Sequence, residues 1–128
     1  MSNLQLSLKK QWFDLTKSGV KTEDYREINL YWFKRLVYRY KDVLLYKGHH
    51  YNQISDKVIY NICTHPVRMF GFVQFDSNIM TLGYPKSTDS ERILKLEHKG
   101  IEIRTGNPEL GAEPNKLYFV ILHGSFLK

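Results

Sequence analysis

The spacing of apolar residues changes partway along the chain. Leu8, Trp12, Phe13 and Leu15 recur at helical intervals, Ser7 stands where an N-cap would accept a backbone N–H, and Gly19 where a left-handed C-cap would end the turn. This predicts a helix over residues 8–18. A second stripe, Leu30, Phe33, Leu36, Val37 and Tyr40, predicts another helix with Asn29 as its cap. From Lys57 onward the residues become β-branched, aromatic and aliphatic, which predicts strands at Lys57–Cys63, Val67–Phe75, Ile93–Glu97, Ile101–Thr105 and Leu117–Leu122. Gly83 near Pro85, a Lys99-Gly100 turn and a long shaped loop, Gly106–Pro114, punctuate them. With no repeat and no low-complexity tract, the pattern describes one α+β domain over residues 1–128, helices ahead of a mainly β half.

Composition adds bounds to that picture. A chain of 128 residues is the size of one domain with one core, and its apolar and charged fractions, 42% and 25%, are those of an ordinary globular protein. The single cysteine, Cys63, forms no internal disulfide, and the chain opens on a polar stretch, Met1–Gln5, in place of a signal segment; the expected compartment is the cytoplasm. The apolar runs, such as Leu117–Leu122, fall short of the ~20 residues a membrane helix needs, so no membrane association is expected. The formal charge of +6 enriches anions such as phosphates around the surface.

The densest chemistry lies just after the first predicted helix, in Gly19-Val20-Lys21-Thr22-Glu23-Asp24-Tyr25-Arg26. If residues 21–26 leave the helix as a strand, Lys21, Glu23 and Tyr25 face one side and Thr22, Asp24 and Arg26 the other. An ammonium and a guanidinium side by side need carboxylates or a bound phosphate beside them, because charges are costly to desolvate unpaired. Taken alone, such a segment reads first as a surface ion-pair loop.

Gly19, Lys21, Asp24 and Arg26 resemble the signature of the ASCH family, of the PUA-like superfamily: a glycine, a lysine two positions on, an acidic residue three further and an arginine two beyond that. Asp24 stands where the family has glutamate, and Glu23 offers the longer carboxylate beside it. Gly106–Pro114 followed by Tyr118-Phe119-Val120-Ile121 is similar to a phage and bacterial subgroup of the family, which makes the likeness nearly full length. The resemblance implies a small PUA-like β-barrel with flanking helices, whose signature loop lines a cleft for RNA, nucleotides or modified nucleosides. It implies that Lys21 and Arg26 contact phosphate or a carbonyl and that Gly19, Thr22, Glu23 and Asp24 complete the site. Both cations are then expected to serve the ligand more than the core.

Some members of the family are similar to amidohydrolases that deacylate N4-acetylcytidine-type nucleosides with a lysine, a threonine nucleophile and a later glutamate. Lys21 matches the first, but Asp24 occupies the place of the threonine, so a catalytic Lys21 and Asp24 form the alternative to binding. Binding needs only a cationic groove and flat side chains for stacking. Two further places offer these. Tyr31, Lys34, Arg35, Tyr38 and Lys41 fall on one face of the second predicted helix, with no acidic residue from Ile28 to Lys41, and Tyr84 and Lys86 flank Pro85 in a turn that would sit at the mouth of the cleft. A third reading makes Tyr31 and Tyr38 anchors for a protein partner.

Other chemistries find no pattern. Cys63 and His65 are two apart without a second ligand pair, and His49, His50, His98 and His123 lack diagnostic spacing, so no metal is expected. The chain carries no phosphate-binding glycine loop, dinucleotide fingerprint or nucleophile elbow, so no cofactor and no conventional hydrolase triad is expected either.

Overall fold

Asn-Leu-Gln-Leu-Ser-Leu alternates strictly at the start of the chain, and in the computed structural model, which describes residues 2–49 and 54–127, it forms a strand, β1 (Asn3–Leu8), with Leu4, Leu6 and Leu8 buried. Ser7 is therefore a strand residue and not the predicted cap. Helix α1 (Lys10–Lys17) starts after Lys9, which makes no side-chain cap bond. It ends as predicted at Gly19, whose φ of 85° turns the chain so that the Val20 and Lys21 amides both donate to the Leu15 carbonyl. Strand β2 (Glu23–Arg26) follows directly.

The second predicted helix is two. Asn29 caps α2 (Leu30–Leu36) by accepting from the Trp32 amide at 2.9 Å, but Val37 is extended and pairs with Phe72, while Tyr38 N donates to Gly71 O and Val73 N to Leu36 O. Arg39, at φ 50°, then redirects the chain into α3 (Tyr40–Tyr46). The stretch predicted as the strand Val67–Phe75 is this irregular strap. Its backbone bonds break the long helix.

The predicted strand Lys57–Cys63 is also corrected: it lies in a helix, α4 (Asp56–Thr64), capped by Ser55 Oγ accepting from Val58 N. Its β-branched residues favoured a strand locally, but Ile59, Ile62 and Cys63 repeat at helical spacing and bury one stripe; packing outweighs propensity. Strand β3 (Ser77–Leu82), unpredicted, follows.

Ile93–Glu97 and Ile101–Thr105 are the two halves of one long strand, β4 (Ile93–Thr105). The Lys99-Gly100 pair makes no turn. Gly100, at φ 123°, sits in a bulge where the register against the last strand, β5 (Leu117–Phe126), shifts between Leu96 and Gly100. One half of β4 pairs with β3 and the other with β5, and the bulge bends the sheet between them.

The five strands run β1-β3-β4-β5-β2, with β1 parallel to β3 and the other pairs antiparallel. The sheet curls into a half-barrel, so the protein is α+β with flanking helices. The main core, Leu6, Phe33, Leu36, Met80, Phe119 and Ile121 among others, lies between the sheet and the helices. Ala112, Tyr118 and Val120, packed with Tyr25 and Leu122, form a smaller cluster on the other face. Among the described residues no helix is long and apolar enough to cross a membrane.

Candidate functional site

The edge strands β1 and β2 approach one another without pairing, and a side chain bridges them: Arg26 Nη2 donates to the Ser7 carbonyl at 3.0 Å. A cleft of about 210 Å³ opens along this seam. β1 and its end supply Ser7, Leu8 and Lys9, α1 supplies Trp12, and the strap after Gly19 supplies Lys21 with Asp24, Tyr25 and Arg26; Leu110 and Gly111 close one side.

The polar wall is a two-cation, one-carboxylate cluster. Lys21 Nζ donates to Asp24 Oδ1 at 3.0 Å and to the Glu23 carbonyl at 2.9 Å, while Arg26 Nε and Nη2 lie 2.8 and 2.7 Å from Asp24 Oδ2. Lys21 and Asp24 are each only 4% exposed. Burial pushes the Asp24 carboxyl upward, but the charges of Arg26 and Lys21 outweigh it and hold the group below the usual carboxylate range. Aromatic rings flank the cations: Lys21 Nζ lies 5.7 Å from the Trp12 ring centroid and 5.1 Å from that of Tyr25, and the Arg26 guanidinium is 4.9 Å from Trp32.

The strand alternation predicted for residues 21–26 holds only from Glu23 on. Lys21 is bound by its amide to the α1 turn, so it escapes the alternation and joins Asp24 and Arg26 in their row. Its burial also corrects the expectation that it serves a ligand more than the core. Glu23 faces away, donating nothing and accepting from Arg104 at 2.7 and 3.2 Å and from the Tyr25 hydroxyl at 2.5 Å. The Arg104 hydrogen bonds hold Glu23 below its ordinary value, and burial with the Glu23 bond pushes Tyr25 up to about 12. This row braces the loop after β4: Tyr25 Oη accepts from Asn107 N, Tyr118 Oη accepts from Glu113 N, and Gly111, at φ 104°, is pressed on the Trp12 ring.

The remaining predicted residues are distributed as follows. Gly19 shapes the turn, and Thr22 is exposed, with its carbonyl accepting from His123 N; neither lines the cleft. Tyr84, 96% exposed, borders a different hollow over Gln5, Ile79, Thr81 and Ile93, and Lys86 follows it in an exposed turn, so the predicted platform is not on the cleft wall. Tyr31, Lys34 and Arg35 stay together on α2, whereas the break at Val37 carries Tyr38 and Lys41 onto a separate segment. Ser7, Leu8, Lys9, Trp12, Tyr25, Leu110 and Gly111 line the cleft without having been predicted as site residues; the alternation of β1 is the signal that would bring Ser7 and Lys9 to it.

A second polar cluster lies inside the sheet. Asn78 donates through Nδ2 to His123 Nδ1 at 2.6 Å and to the Leu122 carbonyl, and accepts through Oδ1 from His98 Nδ1 at 2.7 Å. Burial lowers the pKa of both histidines, that of His123 to about 4. Cys63 is buried in the core, with its thiol pushed up by desolvation to about 12, and His65 bonds the backbone of Val67. His50 lies outside the described residues, and among those described no three His, Cys, Asp or Glu side chains group to hold a metal ion. No family model, curated protein or solved structure matches the chain.

Proposed function

We propose that this chain is an ASCH-type, PUA-like domain that binds RNA by holding one nucleotide unit in the seam cleft between β1 and β2. The observation that carries the reading is the stoichiometry of the buried cluster. One cation would neutralise Asp24, yet two surround it, and Lys9 adds a third positive charge at the rim. The cleft wall is left with net positive charge beside the Trp12 ring, a combination suited to an anionic ligand with a flat apolar part. At about 210 Å³ the space is below the ~300 Å³ at which pockets for drug-sized ligands begin, and limits the ligand portion inside it to no more than one nucleotide unit.

Hydrolysis is less well served by the same geometry. The two hydroxyls on the cleft wall are engaged, Ser7 Oγ with the Gly83 carbonyl and Tyr25 Oη with Glu23 and Asn107. Asp24 is held ionised between two cations, which suits it to positioning Arg26 and not to attack or proton donation.

Arg26 is the residue to test, because Asp24 keeps Lys21 as a partner when Arg26 is removed. Lys21 is a poor probe, since truncating it empties a buried position. Fluorescence anisotropy with a labelled single-stranded RNA oligomer, and competition by an unlabelled nucleoside monophosphate, are expected to show Arg26→Ala weakening both ligands by at least about tenfold. A folded Arg26→Ala protein that binds both as the wild type does would overturn the cleft.

A further inference from the structure

Arg26 belongs to two stacks at once. Its carboxylate contacts face the cleft, while its guanidinium lies 4.9 Å from the Trp32 centroid. On α2 the Arg35 guanidinium is 6.0 Å from the same Trp32 ring and 4.3 Å from the ring of Tyr31, and Tyr31 and Trp32 meet edge to face at 5.1 Å. The result is an unbroken alternation of cation and ring, Arg26, Trp32, Arg35, Tyr31, leading out of the seam along α2. It ends in a hollow of about 400 Å³ bordered by Leu30, Tyr31, Lys34 and Arg35.

This arrangement is not what the core requires. Tyr31 is 56% exposed, Lys34 and Arg35 are exposed, and no ion pair engages either cation among the described residues. The nearby acids are occupied elsewhere, Asp56 Oδ1 accepting from Leu30 N and Glu27 pairing with Lys116. At the outer end of the ladder two cations without an ion pair, Lys34 and Arg35, stand beside the exposed Tyr31 ring, which matches the two features of a single nucleic-acid strand, a phosphate and a stackable base per residue. An acidic peptide would use the charges and leave the rings without counterparts.

Building on the seam cleft as a nucleotide site, we propose that the α2 ladder is a second subsite, so that the ligand is a single-stranded oligonucleotide spanning both and not a free nucleotide. The nucleotide next to the one in the cleft stacks its base at Tyr31 and lays its phosphate against Arg35 and Lys34. The cleft supplies one contact point, and the ladder supplies length.

The test compares wild type, Tyr31→Ala, Arg35→Ala, Arg35→Lys and Arg26→Ala against a labelled RNA oligomer, its DNA counterpart and an unlabelled nucleoside monophosphate, over a range of salt. Tyr31→Ala is expected to weaken the oligomer about tenfold, within the range for loss of one stacked base, Arg35→Ala to weaken it by loss of a phosphate contact, and both to leave the monophosphate unchanged. Arg35→Ala should also make the log affinity against log salt plot shallower by about 0.7, the increment of one phosphate contact on a single strand, and Arg35→Lys should restore that slope. Binding of the RNA oligomer supports the proposal, and binding of the DNA oligomer alone would keep the ladder while overturning RNA as the ligand. If Arg26→Ala loses both ligands while the α2 variants bind the oligomer normally, the extension falls and the cleft stands. If Arg26→Ala binds normally, or the folded wild type binds none of the ligands, the cleft reading falls and the ladder proposal with it, which would turn attention to a protein partner.

Discussion

Asn78 fixes the tautomers of two histidines at once. Its Nδ2 must face the Leu122 carbonyl, so it donates to His123 Nδ1, and its Oδ1 accepts from His98. A proton on His123 Nδ1 would set donor against donor. Burial lowers the folded pKa of His123 to about 4, against about 6.5 in an unfolded chain, so the unfolded state takes up the proton first as pH falls. Stability is therefore complete above about pH 6.5 and declines down to about pH 4, by on the order of 3 kcal/mol from this one group. Asp24 and Glu23 act in a lower window: their folded values are depressed, so their contribution is present above the unfolded carboxylate range near pH 4 and is lost as pH falls through the folded values. Urea unfolding midpoints at pH 7, 5.5 and 4.5 are expected to fall in wild type and to fall less in His123→Gln. His98, also lowered by burial, keeps part of the slope. An identical slope in the variant would remove His123 as its source.

At the scale of elements, the site depends on how the loop after β4 meets α1. A Cβ on Gly111 would lie 2.9 Å from Trp12 Cζ2, and the φ of 104° is itself unfavourable for other residues. Gly111→Ala is thus expected to cost on the order of 1–3 kcal/mol and to displace the indole on the cleft wall. Gly48, at φ 82° with nothing within 4 Å of a Cβ, isolates backbone strain. Denaturation of Gly48→Ala beside Gly111→Ala, with tryptophan fluorescence of the native states, separates the two effects. Equal losses with unchanged emission would show that the loop does not press on Trp12. The same scale explains the misread elements. Val58, Ile59 and Ile62 look like strand residues one at a time, and only the stripe they share with Cys63 against the core makes Asp56–Thr64 a helix.

For the whole molecule, the open seam is the organising feature. β3, β4 and β5 are paired on both sides, while β1 and β2 each leave an edge to the cleft. Hydrogen exchange is expected to be slowest in β4 and β5 and faster in β1 and β2, because opening an edge breaks one ladder and not two. Protection of β2 equal to that of β4 would mean that the seam closes in solution and that no cleft is available there. Arg26, which ties the edges through Ser7, is shared by the seam, the buried cluster and the α2 ladder.

Much of this was written locally. Whereas β2 is a strand through its pairing with β5, Gly19 as the end of α1, Asn29 as a cap and the density of charge over residues 19–26 follow from interactions within a few residues, which sequence spacing encodes. The division of that charge does not. That Lys21 is buried against Asp24 while Glu23 turns to Arg104 depends on a helix turn withdrawing Lys21 from the strand alternation and on a partner 81 positions away. The cleft itself exists only because β1 and β2, adjacent through α1 in the chain, end at opposite edges of a curled sheet. That separation is decided by the pairing of β3, β4 and β5 between them, which the order of residues along the chain does not contain.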